Sequence, residues 1–334
     1  MSKKILLSIL DLAVVNDSDT ASNALQRTKL LAQHADKLGY ERFWVAEHHN
    51  MAHIASSATA ILIGYLASNT ERIRVGSGGI MLPNHAPLII AEQFGTLQLL
   101  HKGRIDLGLG RAPGTDQLTA QAIRSDFFEQ AQHFPRNVSE LQRYFSASNS
   151  TAKVRAFPGE GVDVPIWILG SSTESAALAA ASGLPYAFAG HFAPRQMYQA
   201  FEVYKSNFIP SVHLSSPKVM ACVNAVAADT NEEAELLSSS LLQMFRNLVT
   251  NNRKGLQKPV ANFVDQMSEE ERFHVGQMTA CSFVGDQASI TKQLKEFINY
   301  TGADEIMITS PIYDMDAKLH SMDIMKTVID SINE

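Results

Sequence analysis

Cysteine is almost absent from this 334-residue chain. Cys222 and Cys281 are the only two, and their spacing matches neither a metal motif nor a redox motif. Both thiols are expected to serve as small buried packing groups. Long basic runs are also missing: 28 Lys and Arg stand against 34 Asp and Glu, for a formal net charge of -6. Nothing here neutralises a phosphate backbone, so nucleic acid is excluded as an expected partner. No uninterrupted apolar run reaches the roughly 18 residues of a membrane helix, so no membrane association is expected. The chain start, with lysines ahead of an apolar stretch, superficially resembles a secretory signal. Asp11 interrupts that stretch, and no small-residue cleavage site comes before Asn16-Asp17-Ser18-Asp19. The segment therefore reads as a first buried strand, and a cytoplasmic location is the expectation. No serine sits in a GxSxG elbow and no P-loop occurs, so hydrolases and NTPases lack their minimal parts.

What is present is an ordinary globular balance, 45% hydrophobic and 19% charged. Short apolar runs alternate with amphipathic stretches of helical period almost from end to end, the pattern of repeated β-α units around a parallel sheet. Strands are predicted at 5–12, 42–47, 73–79, 105–109, 165–169, 185–189, 219–227 and 305–309. That makes eight, the number a closed barrel requires. Helices are predicted at 23–38, ended by Gly39, and at 86–100, ended before Lys102-Gly103. The connections 111–164, after the fourth strand, and 228–283, after the seventh, are far longer than usual and read as functional insertions. No linker divides the chain, so one α/β domain, a single (β/α)8 TIM barrel over 1–334, is the predicted architecture. An open doubly wound sheet would need a phosphate fingerprint after the first strand, and Leu10-Asp11-Leu12-Ala13 offers none.

Four stretches can carry chemistry. Gly108-Leu109-Gly110-Arg111-Ala112-Pro113-Gly114 has Pro113 where a dinucleotide fingerprint needs glycine. It reads either as small residues admitting a planar ligand, with Arg111 as a fork for an anion, or as a glycine turn with an exposed arginine. Gly170-Ser171-Ser172-Thr173-Glu174-Ser175 opens a helix after a strand. There, free N–H groups and the helix dipole suit a phosphate monoester, while Ser171 with Glu174 three residues later equally spells a capping box. Arg74-Val75-Gly76-Ser77-Gly78-Gly79-Ile80 is a strand end weakened by glycine, which marks either a bend or a ligand against bare backbone. Glu47-His48-His49 closes the second strand, with His53 just beyond. Neighbouring strand residues face opposite ways, so His48 and His49 cannot easily grip one ion and no metal is expected. Either one imidazole reaches into the barrel mouth as acid, base or donor, or both pack as ordinary polar groups.

Together, Phe43-Trp44-Val45-Ala46-Glu47-His48-His49, Arg74 through Pro83, Ala91-Glu92-Gln93, Gly103 through Arg111 and Ile166-Trp167-Ile168-Leu169-Gly170-Ser171-Ser172 resemble the luciferase-like flavin monooxygenase family over nearly the whole chain. The resemblance implies a barrel that holds FMN and uses it in reduced form to activate O2. It makes His48 the catalytic histidine with Glu47 beside it, and Gly78–Gly79 a cis peptide under the flavin. Arg111, Ser172 and Ser175, with Gly170 and Ser171 in the same turn, fall where the family grips the phosphate, and His191 is placed to face the flavin. Gly110 departs from the bioluminescent members, which have a reactive cysteine there, so light emission is not expected. The expected activity is oxygenation of a small organic substrate by reduced FMN from a separate flavin reductase. Its rivals are an F420-dependent oxidoreductase of the same fold and a non-catalytic flavin-binding protein. A homodimer is a further expectation.

Overall fold

Strands that are buried on both faces read as continuous apolar runs, and that is how this chain builds its sheet. The computed structural model describes residues 4–334. Its strands are β1 (Leu6–Asp11), β2 (Arg42–Val45), β3 (Arg74–Met81), β4 (Ile105–Gly110), β5 (Ile166–Gly170), β6 (Tyr186–Ala189), β7 (Val219–Ala227), β8 (Ser282–Gly285) and β9 (Glu305–Thr309). All pairings are parallel. Consecutive pairing from β1 to β7, then β7 with β9 and β9 with β1, closes an eight-stranded barrel with helices between its strands. The predicted TIM barrel is the observed fold.

The second long connection differs from its predicted form as a single insertion over 228–283. It contains helices α9 (Asn231–Val249) and α10 (Glu269–Met278) and runs into β8, which lies outside the ring, before α11 (Gln287–Thr301) leads to β9. Cys222 on β7 is flanked by Ala189 of β6 and Met307 of β9, whereas Asn224 is flanked by Ser282 of β8 and Thr309 of β9. Two residues higher on the same edge, then, β8 takes over from β6. Helices α2 (Thr59–Ser68), α3 (Pro87–Leu100) and α8 (Met197–Ser206) follow β2, β3 and β6, and the first insertion holds α4 (Gln117–Ile123), α5 (Phe127–Gln132) and α6 (Phe134–Phe145).

Side-chain alternation divides the core in two. Leu10, Trp44, Ala46, Trp167, Ala187, Met220, Cys222 and Met307 pack together inside the ring. Phe43, Val45, Ile166, Ile168, Tyr186 and Phe188 face the helices outside. Burying each such large side chain contributes about 1.5–3 kcal/mol. The floor of the barrel is ionic. The Arg42 guanidinium donates to Asp106 and Glu305 at 2.6 Å each and lies 5.0 Å from the ring of Trp167. Arg74 donates to the other oxygen of Asp106 at 2.9 and 2.6 Å. Paired in this way the buried charges are tolerable, and they close the end opposite the ligand-binding face typical of such barrels. Both cysteines are buried, and burial pushes their thiol pKa values up.

Helix α1 (Ala21–Leu38) begins at Thr20, whose side chain accepts from the Asn23 N–H, and ends at Gly39 in the left-handed region at φ 74°. Helix α12 (Met315–Asn333) ties the end of the chain to its start, with the Asn333 amide accepting from the Ile5 N–H and donating to the Ile5 carbonyl. Among the described residues no helix is long and apolar enough to cross a membrane.

Candidate active site

The loops beyond the C-terminal strand ends form the mouth. On its floor β3 and β4 slip register between Ser77 and Ile80, where Gly78–Gly79 is a cis peptide. A Cβ on Gly79 would lie 2.5 Å from Leu169 Cδ1 and 2.9 Å from the Gly108 carbonyl oxygen, and one on Gly78 would lie 2.8 Å from Leu10 Cδ1. The Gly108 carbonyl is backbone and cannot move aside, so packing against the protein itself accounts for Gly79, whereas at Gly78 the nearest atom is the end of a leucine side chain.

His48 follows the inward face of β2 set by Trp44 and Ala46. Its N–H donates to the Ser56 carbonyl at 3.0 Å, and Ser56 and Thr59 both donate side-chain hydroxyls to the Ala46 carbonyl, so the turn carrying the imidazole is fixed. Burial pushes the His48 pKa down to about 4. The Glu47 charge opposes this, and His49 and His53 add to it. His191, just beyond β6, is pushed down to about 3, by burial first and then by His48. The mouth thus brings His191 close enough to His48 for a proton on His48 to oppose one on His191. The Nδ1 atoms of His48, His53 and His191 are buried without a hydrogen-bond partner among the described residues.

Glu47 turns the other way. Its carboxylate, 1% exposed, accepts from His49 Nε2 at 2.9 Å, His85 Nε2 at 2.9 and 3.0 Å, Asn84 Nδ2 at 2.9 Å and the Met81 N–H at 3.0 Å. Burial raises its pKa, but the hydrogen bonds from His49 and His85, the charge on His85 and the Asn84 amide outweigh it and hold the group at about 2. An ionised carboxylate only accepts, so both histidines must carry their proton on Nε2. Asn84 also donates to the Pro113 carbonyl, and the His49 N–H to that of Gly114. Glu47 thereby ties together the loops after β2, β3 and β4.

At the ends of β4 and β5 lies a polar cradle. Helix α7 (Thr173–Ala181) starts at Ser172, whose hydroxyl accepts from the Ser175 N–H at 3.4 Å. The cap is Ser172, not the Ser171 of the capping-box alternative, because Ser172 is the extended residue ahead of the first turn, at φ -144° and ψ 162°. The Ser175 hydroxyl is held by the Ser172 carbonyl at 2.8 Å and Tyr186 at 2.9 Å. A Cβ at Gly170 would lie 2.0 Å from Ser175 Oγ, so only glycine permits that approach. Arg111 is exposed, forms no ion pair among the described residues, and lies near enough to Glu174 to help lower its pKa. The hydroxyls of Ser171 and Thr173 likewise have no protein partner among the described residues.

Sequence reasoning missed Asn84 and His85, which lie in the tight turn after β3 and show no periodic signal. It also missed Asn224, whose signal was visible as the lone amide in the apolar run of β7.

The chain is similar to known proteins along nearly its whole length. The family model for luciferase-like monooxygenases matches residues 7–305. A luciferase-like monooxygenase of Escherichia coli (strain K12) is 48% identical over 98% of this chain and 97% of its own. The crystal structure of apo-MsnO8 is 31% identical, with a TM-score of 0.87 over 98% of each chain. The oxygenating constituent of 3,6-diketocamphane monooxygenase of Pseudomonas putida, solved in complex with FMN, shares the fold at 16% identity, with a TM-score of 0.72 over 97% of each chain. The chain belongs to the luciferase-like monooxygenase family.

Proposed function

We propose that this protein is an FMN-dependent monooxygenase that takes reduced FMN from a separate reductase and inserts one atom of O2 into a small organic substrate, the other leaving as water. The observation that carries this reading is the division of the mouth. One side offers an unpaired guanidinium close enough to Glu174, in the first turn of α7, to lower its pKa, the other two imidazoles held neutral by burial. The first suits a phosphate monoester, since Arg111 supplies charge and α7 its dipole and polar groups. Ser171, Ser172 and Thr173 would surround the phosphate, while Ser175 and Gly170 hold the turn in shape. Reduced FMN, when bound, supplies the electrons that activate O2. His48 holds or delivers a proton at its imidazole nitrogen beside the reacting atoms, and a ring neutral at pH 7 is free to accept one. Glu47 acts through its neighbours, keeping the turn that carries His48 in place.

The test has two parts. FMN should quench on binding, and riboflavin, which lacks the phosphate, should bind much more weakly. Stopped-flow mixing of the anaerobic reduced complex with O2 should then give flavin reoxidation with kinetics different from those of free reduced FMN. Equal affinity for riboflavin and FMN, or reoxidation indistinguishable from the free cofactor, overturns the proposal.

A further inference from the structure

Asn224 is 1% exposed and lies on the inward face of β7, in register above Met220 and Cys222. Its Nδ2 donates to the His191 carbonyl at 2.7 Å and to the Ser282 hydroxyl at 3.0 Å. The His191 carbonyl can only accept, so the amide cannot be turned over without setting two acceptor oxygens against each other. Oδ1 is therefore fixed as the free atom, and it is buried with no partner among the described residues. The side chain is also a clamp, since it joins the segment carrying His191 to β8, the strand that replaces β6 on this edge of β7.

The Nδ1 atoms of His191 and His48 are likewise buried and unpartnered in the same mouth. An acceptor oxygen and two imidazole nitrogens left unsatisfied in the native fold call for polar occupants, because a buried unpaired group costs about 1–3 kcal/mol.

We infer that Asn224 Oδ1, with the imidazoles of His48 and His191, forms the polar wall of the organic-substrate subsite, and that the subsite takes an uncharged molecule presenting an N–H or O–H donor. A carboxylate would set its lone pairs against Oδ1. A group that only accepts would leave Oδ1 unpaired. An amide or hydroxyl matches, its N–H or O–H going to Asn224 and its oxygen to an imidazole N–H. The inference rests on the proposed monooxygenase reading, which it makes more specific.

The probes are hexanamide, methyl hexanoate and sodium hexanoate, titrated into the protein with and without FMN while the His48 and His191 imidazole resonances are followed by NMR. Hexanamide should shift both rings and bind at least about fivefold more tightly than either other probe. Asn224→Leu should abolish that preference. Ser282→Ala, which loosens the clamp but leaves Oδ1 in place, should keep it and controls for a merely structural effect. Equal binding of hexanoate and hexanamide, or an unchanged preference in Asn224→Leu, overturns the inference. So does a tenfold loss of FMN affinity in Asn224→Leu with the preference intact, since the free oxygen would then belong to the flavin. Failure of the parent protein to bind FMN would sink the monooxygenase reading alone, because the amide preference is also read in the FMN-free protein.

Discussion

His85 Nε2 lies 2.9 and 3.0 Å from the two oxygens of Glu47, so a histidine from the loop after β3 straddles a carboxylate at the end of β2. Glu47→Gln keeps the shape but sets an NH2 group among donors. Removing one partner from a buried charged network costs about 3–5 kcal/mol, so thermal melts should show Glu47→Gln clearly less stable than the parent at pH 7. The folded pKa of about 2 lies below the ordinary 4.5. The carboxylate's contribution is therefore complete above about pH 4.5 and is lost as pH falls from there towards 2. The gap between the two melting temperatures should narrow over that window, and a gap independent of pH would contradict the ionised state assigned to Glu47.

His48 and His191 make a separate pH prediction at milder acidity. Their pKa values fall from 6.5 to about 4 and about 3, so below pH 6.5 the unfolded chain binds protons that the folded chain does not. Stability tied to these neutral rings is full above about pH 6.5 and declines as pH falls towards 4, by up to about 1.4 kcal/mol per pH unit for each ring. Replacing either histidine by Gln should flatten the dependence of ΔG on pH between 6.5 and 4, measured by urea unfolding. Parallel curves for parent and variants would mean the rings are not held neutral.

Much of this was legible in one dimension, and what was not shares a cause. The ring was readable because parallel strands covered on both faces are continuous apolar runs, as in β7. The opposite directions of His48 and His49 followed from the two-residue period of a strand. β8 was not readable, since four residues with alternating burial look like the tail of an insertion. Nor were the partners of Glu47, because Asn84 and His85 lie 37 and 38 positions away and meet it only when β2 and β3 pair.

At the cradle proposed for the phosphate, Arg111 and Glu174 make opposite predictions. Arg111→Ala removes a charge-assisted contact and should weaken FMN by about 1.5–3 kcal/mol. Glu174 is exposed and competes for Arg111. Glu174→Gln should strengthen FMN binding by about two- to fivefold at low ionic strength, the gain shrinking as salt screens the charge. Fluorescence titrations at two salt concentrations measure both, and a weaker complex in Glu174→Gln would place the phosphate elsewhere.

The remaining prediction separates binding from chemistry at His48. Its ring stands on the β2 side of the mouth, whereas the groups suited to the phosphate stand at the ends of β4 and β5. His48→Ala should therefore leave FMN affinity within about threefold, roughly 0.7 kcal/mol. A positioned acid-base group supplies about 10²–10⁴-fold, so product formed per reduced FMN should fall by at least the lower of those factors, for a substrate found by screening small organic compounds. The same assay without O2 should give no product from either protein, whereas a hydride-transferring enzyme would proceed and a storage protein would give none in air. Turnover like that of the parent in His48→Ala would move the catalytic role to His191. His49 is no alternative, since its Nε2 proton is already given to Glu47, whereas His191 keeps an unpartnered Nδ1 in the mouth.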